Sequence, residues 1–203
     1  MKPMFLIVLA ALAGCAGPPR SGAVISVYDF GPPAATVSNV TVNGGRTMAL
    51  DVRAAPWLDA PGITYRLAYD EPLKRRQYAE SRWASPPATL LAQHLRQKTG
   101  LVNANGGVVT SSSCLTRLSL QEFSQWFETP KTSYAIVQGQ VDLVDGKRRI
   151  LASHTVRAQT RAGSADAPGG VNALVAASDE LAAQLADWLV SLEKQGALKG
   201  CGD

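Results

Sequence analysis

Three runs of alternating apolar and polar residues constrain what this chain can fold into more than any other feature. Leu115 to Phe123 places Leu118 and Leu120 on one side. Tyr134 to Val144 does so with Ala135, Val137, Gly139, Val141 and Leu143, and Arg149 to Thr160 with Ile150, Ala152, Val156 and Ala158. A period of two marks a half-buried strand, because successive side chains point to opposite faces. The second and third runs meet across Asp145-Gly146, a pair suited to the tight turn of a hairpin. Consecutive alternating strands with a short turn predict an antiparallel meander.

One face of such a meander needs a cover, and two helical patterns can supply it. The longer runs from about Val171 to Leu192, where Leu174, Leu181, Leu185, Trp188, Leu189 and Leu192 recur at helical spacing. The shorter is expected to open at Ser85-Pro86, serine as N-cap and proline at the first helical position. Its stripe is Ala88, Leu91, Ala92 and Leu95, and Gly100 provides its stop. Further strands are predicted at Val24 to Phe30, Thr47 to Arg53 and Ile63 to Tyr69, with a short one inside Leu101 to Val109. The second and third of these read as a strand pair around the Pro56-to-Gly62 corner, with Trp57 and Leu58 plugging the core edge. Asp70 to Ser81 and Ala162 to Gly170 read as loops. With 46% hydrophobic and 18% charged residues, the chain is a folded one. The expected fold is α/β: a single domain with a mixed, largely antiparallel sheet and two main helices packed on it.

The N-terminus carries an address. Lys2 precedes an apolar run from Met4 to Leu12, and Leu12-Ala13-Gly14-Cys15 closes it. That is the layout of an export signal, too short to span a bilayer, which needs roughly 20 apolar residues. The last four residues resemble the lipobox of bacterial lipoproteins, in which the cysteine is acylated and the chain is cut before it. The alternative is an ordinary secretory signal with an incidental cysteine. On the lipoprotein reading, residues 1–14 are the signal peptide, residues 15–22 the lipidated N-terminus and tether, and residues 23–203 the domain. Cys15 is the lipidation site. Bacterial lipoproteins retained in the inner membrane commonly have aspartate after the cysteine. Ala16 in that place predicts outer-membrane residence with the domain on the periplasmic face. Cys114 and Cys201 then remain as an even pair in an oxidising compartment, a candidate disulfide, with two free thiols as the alternative.

A search for chemistry returns little. The sequence has no Gly-x-Ser-x-Gly, no Walker loop, no Gly-x-Gly-x-x-Gly and no His-Glu-x-x-His. Two histidines, His94 and His154, and no Cys-x-x-Cys leave almost no material for a metal site. No catalytic residue, metal or cofactor is expected. The formal charge of +4 is spread thinly. Its densest groups, Lys74-Arg75-Arg76 and Lys147-Arg148-Arg149, read as a solvated loop and a hairpin tip, and no nucleic-acid partner is expected. Asp70-Glu71 reads as a solvated turn rather than an acid–base pair.

Several stretches, in order, resemble the ABC-type transport auxiliary lipoprotein family, which includes the paraquat-inducible protein C-like lipoproteins. They are Val27-Tyr28-Asp29-Phe30-Gly31-Pro32, Trp57 to Leu67, Arg82-Trp83-Ala84-Ser85-Pro86-Pro87 leading into Leu90-Leu91-Ala92, and Ala176-Ala177-Ser178 through Leu185, Trp188 and Leu189. Ser81 and Ser85 stand where related sequences often carry acidic residues. The resemblance implies a non-enzymatic envelope lipoprotein serving an ABC permease and ATPase together with an MCE-domain protein. Its implied task is intermembrane lipid transport that maintains the outer membrane, and a homo-oligomeric ring is among its implications. A scaffolding lipoprotein and a lipid-modifying enzyme are the alternatives. Trp57, Arg82 and Trp83 are the candidate partner contacts, since Trp and Arg are favoured at binding hot spots. The competing reading of both tryptophans is as buried lids.

Overall fold

The fifteen residues from Leu115 to Thr129 form the strand on which the sheet is built. The structure is a computed structural model that describes residues 24–32, 48–103 and 114–201. In chain order it comprises β1 (Ser26–Tyr28), β2 (Ala49–Ala54), β3 (Gly62–Leu67), β4 (Glu71–Trp83), α1 (Pro87–Thr99), β5 (Val102–Asn103), β6 (Leu115–Thr129), β7 (Thr132–Val144), β8 (Ile150–Arg161) and α2 (Ala167–Lys194). The signal, Cys15, the tether and the stretches around Asn43-Gly44-Gly45 and Asn105 to Ser113 lie outside the described residues.

The fold is the expected mixed, largely antiparallel sheet with two helices packed on it. One edge of β6 pairs with β7 along its length, and β7 pairs with β8, both antiparallel. The other edge of β6 is shared. β2 lies parallel to Leu115–Leu120 and β3 parallel to Gln125–Phe127. The Pro56-to-Gly62 corner therefore does not fold β2 back on β3, as a strand pair would require. It lets the chain step sideways and continue along the same neighbour. Pro56 and Pro61 have no N–H to give to a ladder, so the step falls where pairing must lapse. β4 then returns antiparallel to β3, and β1 adds parallel to the end of β4.

Segments read as loops from sequence become ordered here. Asp70 to Ser81 is mostly strand β4. For most of its length β3 is the only described strand that pairs with it and its surface stays wet, so it carries Glu, Lys and Arg where a central strand would carry Val and Ile. Pro168 sits in the first turn of α2, and the Asp166 carboxylate caps it by accepting the Gly169 N–H at 2.8 Å. At α1 the cap is Pro86, not Ser85, with extended backbone (φ −51°, ψ 141°). Pro87 follows, and a residue before proline is pushed out of the helical region.

A bulge between Leu120 and Glu122 adds one residue to β6 and reverses its facing. Leu118 and Leu120 point to the helices before it, and Phe123, Gln125 and Phe127 after it. Leu174, Leu181, Leu185 and Leu189 of α2 meet them fully buried. Ile150, read as inward, is 61% exposed at the end of β8, where the Leu143/Val144 irregularity breaks the register. His154 is exposed and stacks on Trp188 at 5.8 Å.

Gly139 marks a close approach between β7 and β6. A β-carbon there would stand 2.7 Å from the Ser119 carbonyl oxygen and 2.8 Å from Leu118 Cδ1. Backbone cannot retreat as a side-chain tip can. Gly139→Ala should cost about 1–3 kcal/mol in urea unfolding, and a wild-type midpoint would place β6 and β7 wrongly.

Candidate docking site

The described residues offer binding surfaces, and the first lies where the N-terminal segment meets α2. After β1 the chain turns inward at Asp29 and Gly31. The Gly31 N–H donates to Asp29 Oδ1 at 2.8 Å, and Gly31 has φ +74°, a conformation that favours glycine. The turn drives Phe30 into the core, 5.7 Å from Trp83, 6.2 Å from Phe123 and 5.1 Å from the His94 ring. It also leaves a groove of about 430 Å³ between Val27–Gly31 and the Val171, Val175, Ala176 and Asp179 face of α2.

At the foot of that groove the two helices are tied by charge. Asp179 bonds His94 Nε2 at 2.9 Å and Lys98 Nζ at 2.7 Å. Burial pushes the His94 imidazole below its ordinary value of 6.5, outweighing the opposing pull of Asp179. Burial alone would raise the Asp179 carboxyl, but Lys98 and His94 together hold it below the usual range. His94 thus faces an aspartate and an aromatic ring, which positions a helix pair rather than activates a nucleophile. A histidine with a lowered native value binds fewer protons folded than unfolded just below pH 6.5, so stability rises with pH through that window. Acidification below about pH 6.5 should therefore lower the melting temperature, and His94→Gln should flatten that limb of the profile. An unchanged slope in the variant would assign the acid sensitivity elsewhere.

The sequence-derived contacts are placed unequally. The backbone brings two of the proposed segments together: Gly62 pairs with Arg82, and the Trp83 N–H donates to the Pro61 oxygen at 2.7 Å. Trp57 stands 59% exposed, whereas its neighbour Leu58 enters the core. Arg82 is exposed beside this corner. Trp83 is only 1% exposed, its face closed by Phe30 and Phe123. It is a core residue and is withdrawn from the contact surface. Cys114 and Cys201 are disulfide-bonded, Cα atoms 5.0 Å apart.

Sequence reasoning missed a cluster on the face of the sheet away from the helices. Arg75 grips Glu122 with two bonds of 3.0 and 3.1 Å, Arg66 adds a third at 3.3 Å, and Arg66 also lies over the Trp126 ring at 5.4 Å. The sequence pattern places Arg75 in a loop, and only the β4–β3–β6 pairing brings it to Glu122. The remaining basic residues there are neutralised: Lys74 pairs with Glu71, and Arg76 with Glu71 and Asp70. Among the described residues no group of His, Cys, Asp and Glu could hold a metal ion, and no helix is long and apolar enough to cross a membrane.

Comparison with known proteins agrees with this architecture. No curated protein matches the chain. Protein XCC0632 from Xanthomonas campestris superposes with a TM-score of 0.67 at 17% identity, over 85% of this chain and 99% of that one. A second crystal structure, of an uncharacterized protein, gives 0.62 at 14% identity over 82% and 99%. These likenesses are of fold. Residues 28–186 match the model of the ABC-type transport auxiliary lipoprotein component, a span from β1 into α2 that takes in all of the groove but Val27, the Trp57 corner and Arg82. The chain belongs to the family of ABC-type transport auxiliary lipoproteins, whose role is non-enzymatic.

Proposed function

We propose that the chain is exported by residues 1–14, acylated at Cys15 and tethered by residues 15–22, so that the domain of residues 23–203 faces the periplasm from the outer membrane. There it serves an ABC permease and ATPase with an MCE-domain protein, in lipid transport that maintains the outer membrane. The observation that carries the reading is the auxiliary-lipoprotein match over residues 28–186 behind Leu12-Ala13-Gly14-Cys15 in one chain. An acylated cysteine holds a protein stably only with more than one chain, so the proposed anchor is multiply acylated. Trp57 and Arg82 are the proposed partner contacts, supported by their exposure at one corner. The edge of β1 with which no described strand pairs, with Val24, Ile25 and Val27 exposed, supports a ring in which each copy's edge meets its neighbour.

Envelope fractionation tests the anchor. Wild type should sediment with outer-membrane markers and yield an acylated Cys15 peptide by mass spectrometry, and Cys15→Ser should leave that fraction. Retention of the variant, or wild type found with inner-membrane markers, contradicts the reading.

A further inference from the structure

The direction of β1 shows where a tether entering it comes from. Ser26 lies opposite Ser81 and the two strands are parallel. Followed backwards, both point to the end of the sheet that carries the β3–β4 turn, Ala68 to Asp70. That same end holds the β6–β7 turn, since the Ala68 N–H donates to the Phe127 oxygen at 2.9 Å. The β6–β7 turn is polar and closed on itself, Thr129 Oγ1 accepting the Lys131 and Thr132 N–H groups. The β3–β4 tip is different. Leu73 is 94% exposed and Tyr69 48%. The charges around them are already paired, Lys74 with Glu71 at 3.0 Å and Arg76 with Asp70 and Glu71.

Chain length sets how far that tip can stand from an anchored Cys15. Arg82 lies opposite Gly62 and Leu73 falls opposite the stretch from Tyr65 to Leu67, because β4 is bulged twice against β3, so Leu73 stands roughly 13 Å back from Ser81 at strand spacing. Cys15 lies eleven residues before Ser26, which reach at most about 40 Å fully extended. A tether stretched fully along β4 therefore carries the anchor at most about 25 Å beyond Leu73. Any slack brings the membrane closer.

We propose that the β3–β4 tip, Tyr69 to Leu73, seats in the interfacial layer of the membrane that holds Cys15. The proposal rests on the anchored reading above. Leucine enters the acyl boundary, and tyrosine is suited to a layer with one apolar and one wet side. The contact orients the domain, with the sheet standing on its hairpin end and the β7–β8 turn farthest from the lipid. Because the neighbouring charges are paired, it is an apolar contact and persists at high salt.

The test uses the full lipidated chain in phosphatidylethanolamine–phosphatidylglycerol vesicles. With Cys15 acylated and Cys114 bonded to Cys201, Leu73→Cys supplies the reactive thiol for an environment-sensitive fluorophore. Ile150→Cys, at the opposite end, is the control. The label at position 73 should shift to the blue on reconstitution and be quenched by brominated acyl chains in low and high salt alike. The label at 150 should do neither. A chain that floats with the vesicles while its position-73 label stays in water overturns this proposal alone. So does a label that becomes shielded only when a protein partner is added. A chain that does not float overturns the anchored reading and this proposal with it.

Discussion

Replacing Trp83 with alanine should lower the unfolding free energy by about 3–5 kcal/mol. The indole is 1% exposed and is packed by Phe30 and Phe123. It fills the point where the end of β4, the inward turn after β1 and the central strand converge. Truncation there opens a cavity that no flexible neighbour can close, since Phe30 is itself held by the His94 ring. In a chain of this size the loss corresponds to a fall in melting temperature of roughly 10 °C or more. Trp83→Phe should be far milder, about 1.5 kcal/mol or less. It keeps an aromatic ring and removes an indole Nε1 that is buried without a hydrogen-bond partner among the described residues. A Trp83→Ala protein that melts with the wild type would return Trp83 to the surface and reopen it as a partner contact.

Removing the Cys114–Cys201 bridge should cost a similar amount. The two residues are 87 apart in sequence and both are buried. Closing a loop of that length restricts the unfolded chain by about 4–5 kcal/mol in the chain-entropy account. The bond joins the residue before β6 to the turn that follows α2, so it fixes the central strand to the end of the helix that covers it. The Cys114→Ala, Cys201→Ala double variant should unfold at markedly lower urea than wild type, and reductant should shift the wild type toward it without moving the variant. Two alkylatable thiols in the denatured, unreduced wild type would contradict the bridge.

The sequence was most legible where burial repeats with a period. β7 and α2 declare themselves through Val137–Leu143 and Leu174–Leu189 because every second or every third-to-fourth residue meets the core. β4 was not legible. An edge strand with wet surfaces reads Glu-Pro-Leu-Lys-Arg-Arg, and its order depends on pairing with β3, which no local pattern reports. The bulge at Leu120/Glu122 was equally hidden, since the shift in parity shows only against β7. At the candidate site, Trp57 and Trp83 carried the same sequence signal, an aromatic beside turn residues. Their fates differ because Leu58, not Trp57, takes the core position at the corner, while Phe30 arrives from a distant segment to close over Trp83. The Arg66–Glu122–Arg75 cluster likewise needs three strands that are remote in sequence.

We propose that this auxiliary lipoprotein acts by binding a transport partner rather than by turnover. Co-purification from detergent-solubilised envelopes with the proposed MCE-domain partner is the test. Wild type should retain that protein through washing, and Arg82→Ala and Trp57→Ala, both exposed and expected to melt within a degree or two of wild type, should retain much less. Full retention by both folded variants would show that the corner is not the contact. A wild-type chain that never brings down an MCE-domain protein, permease or ATPase would overturn the partner-binding role.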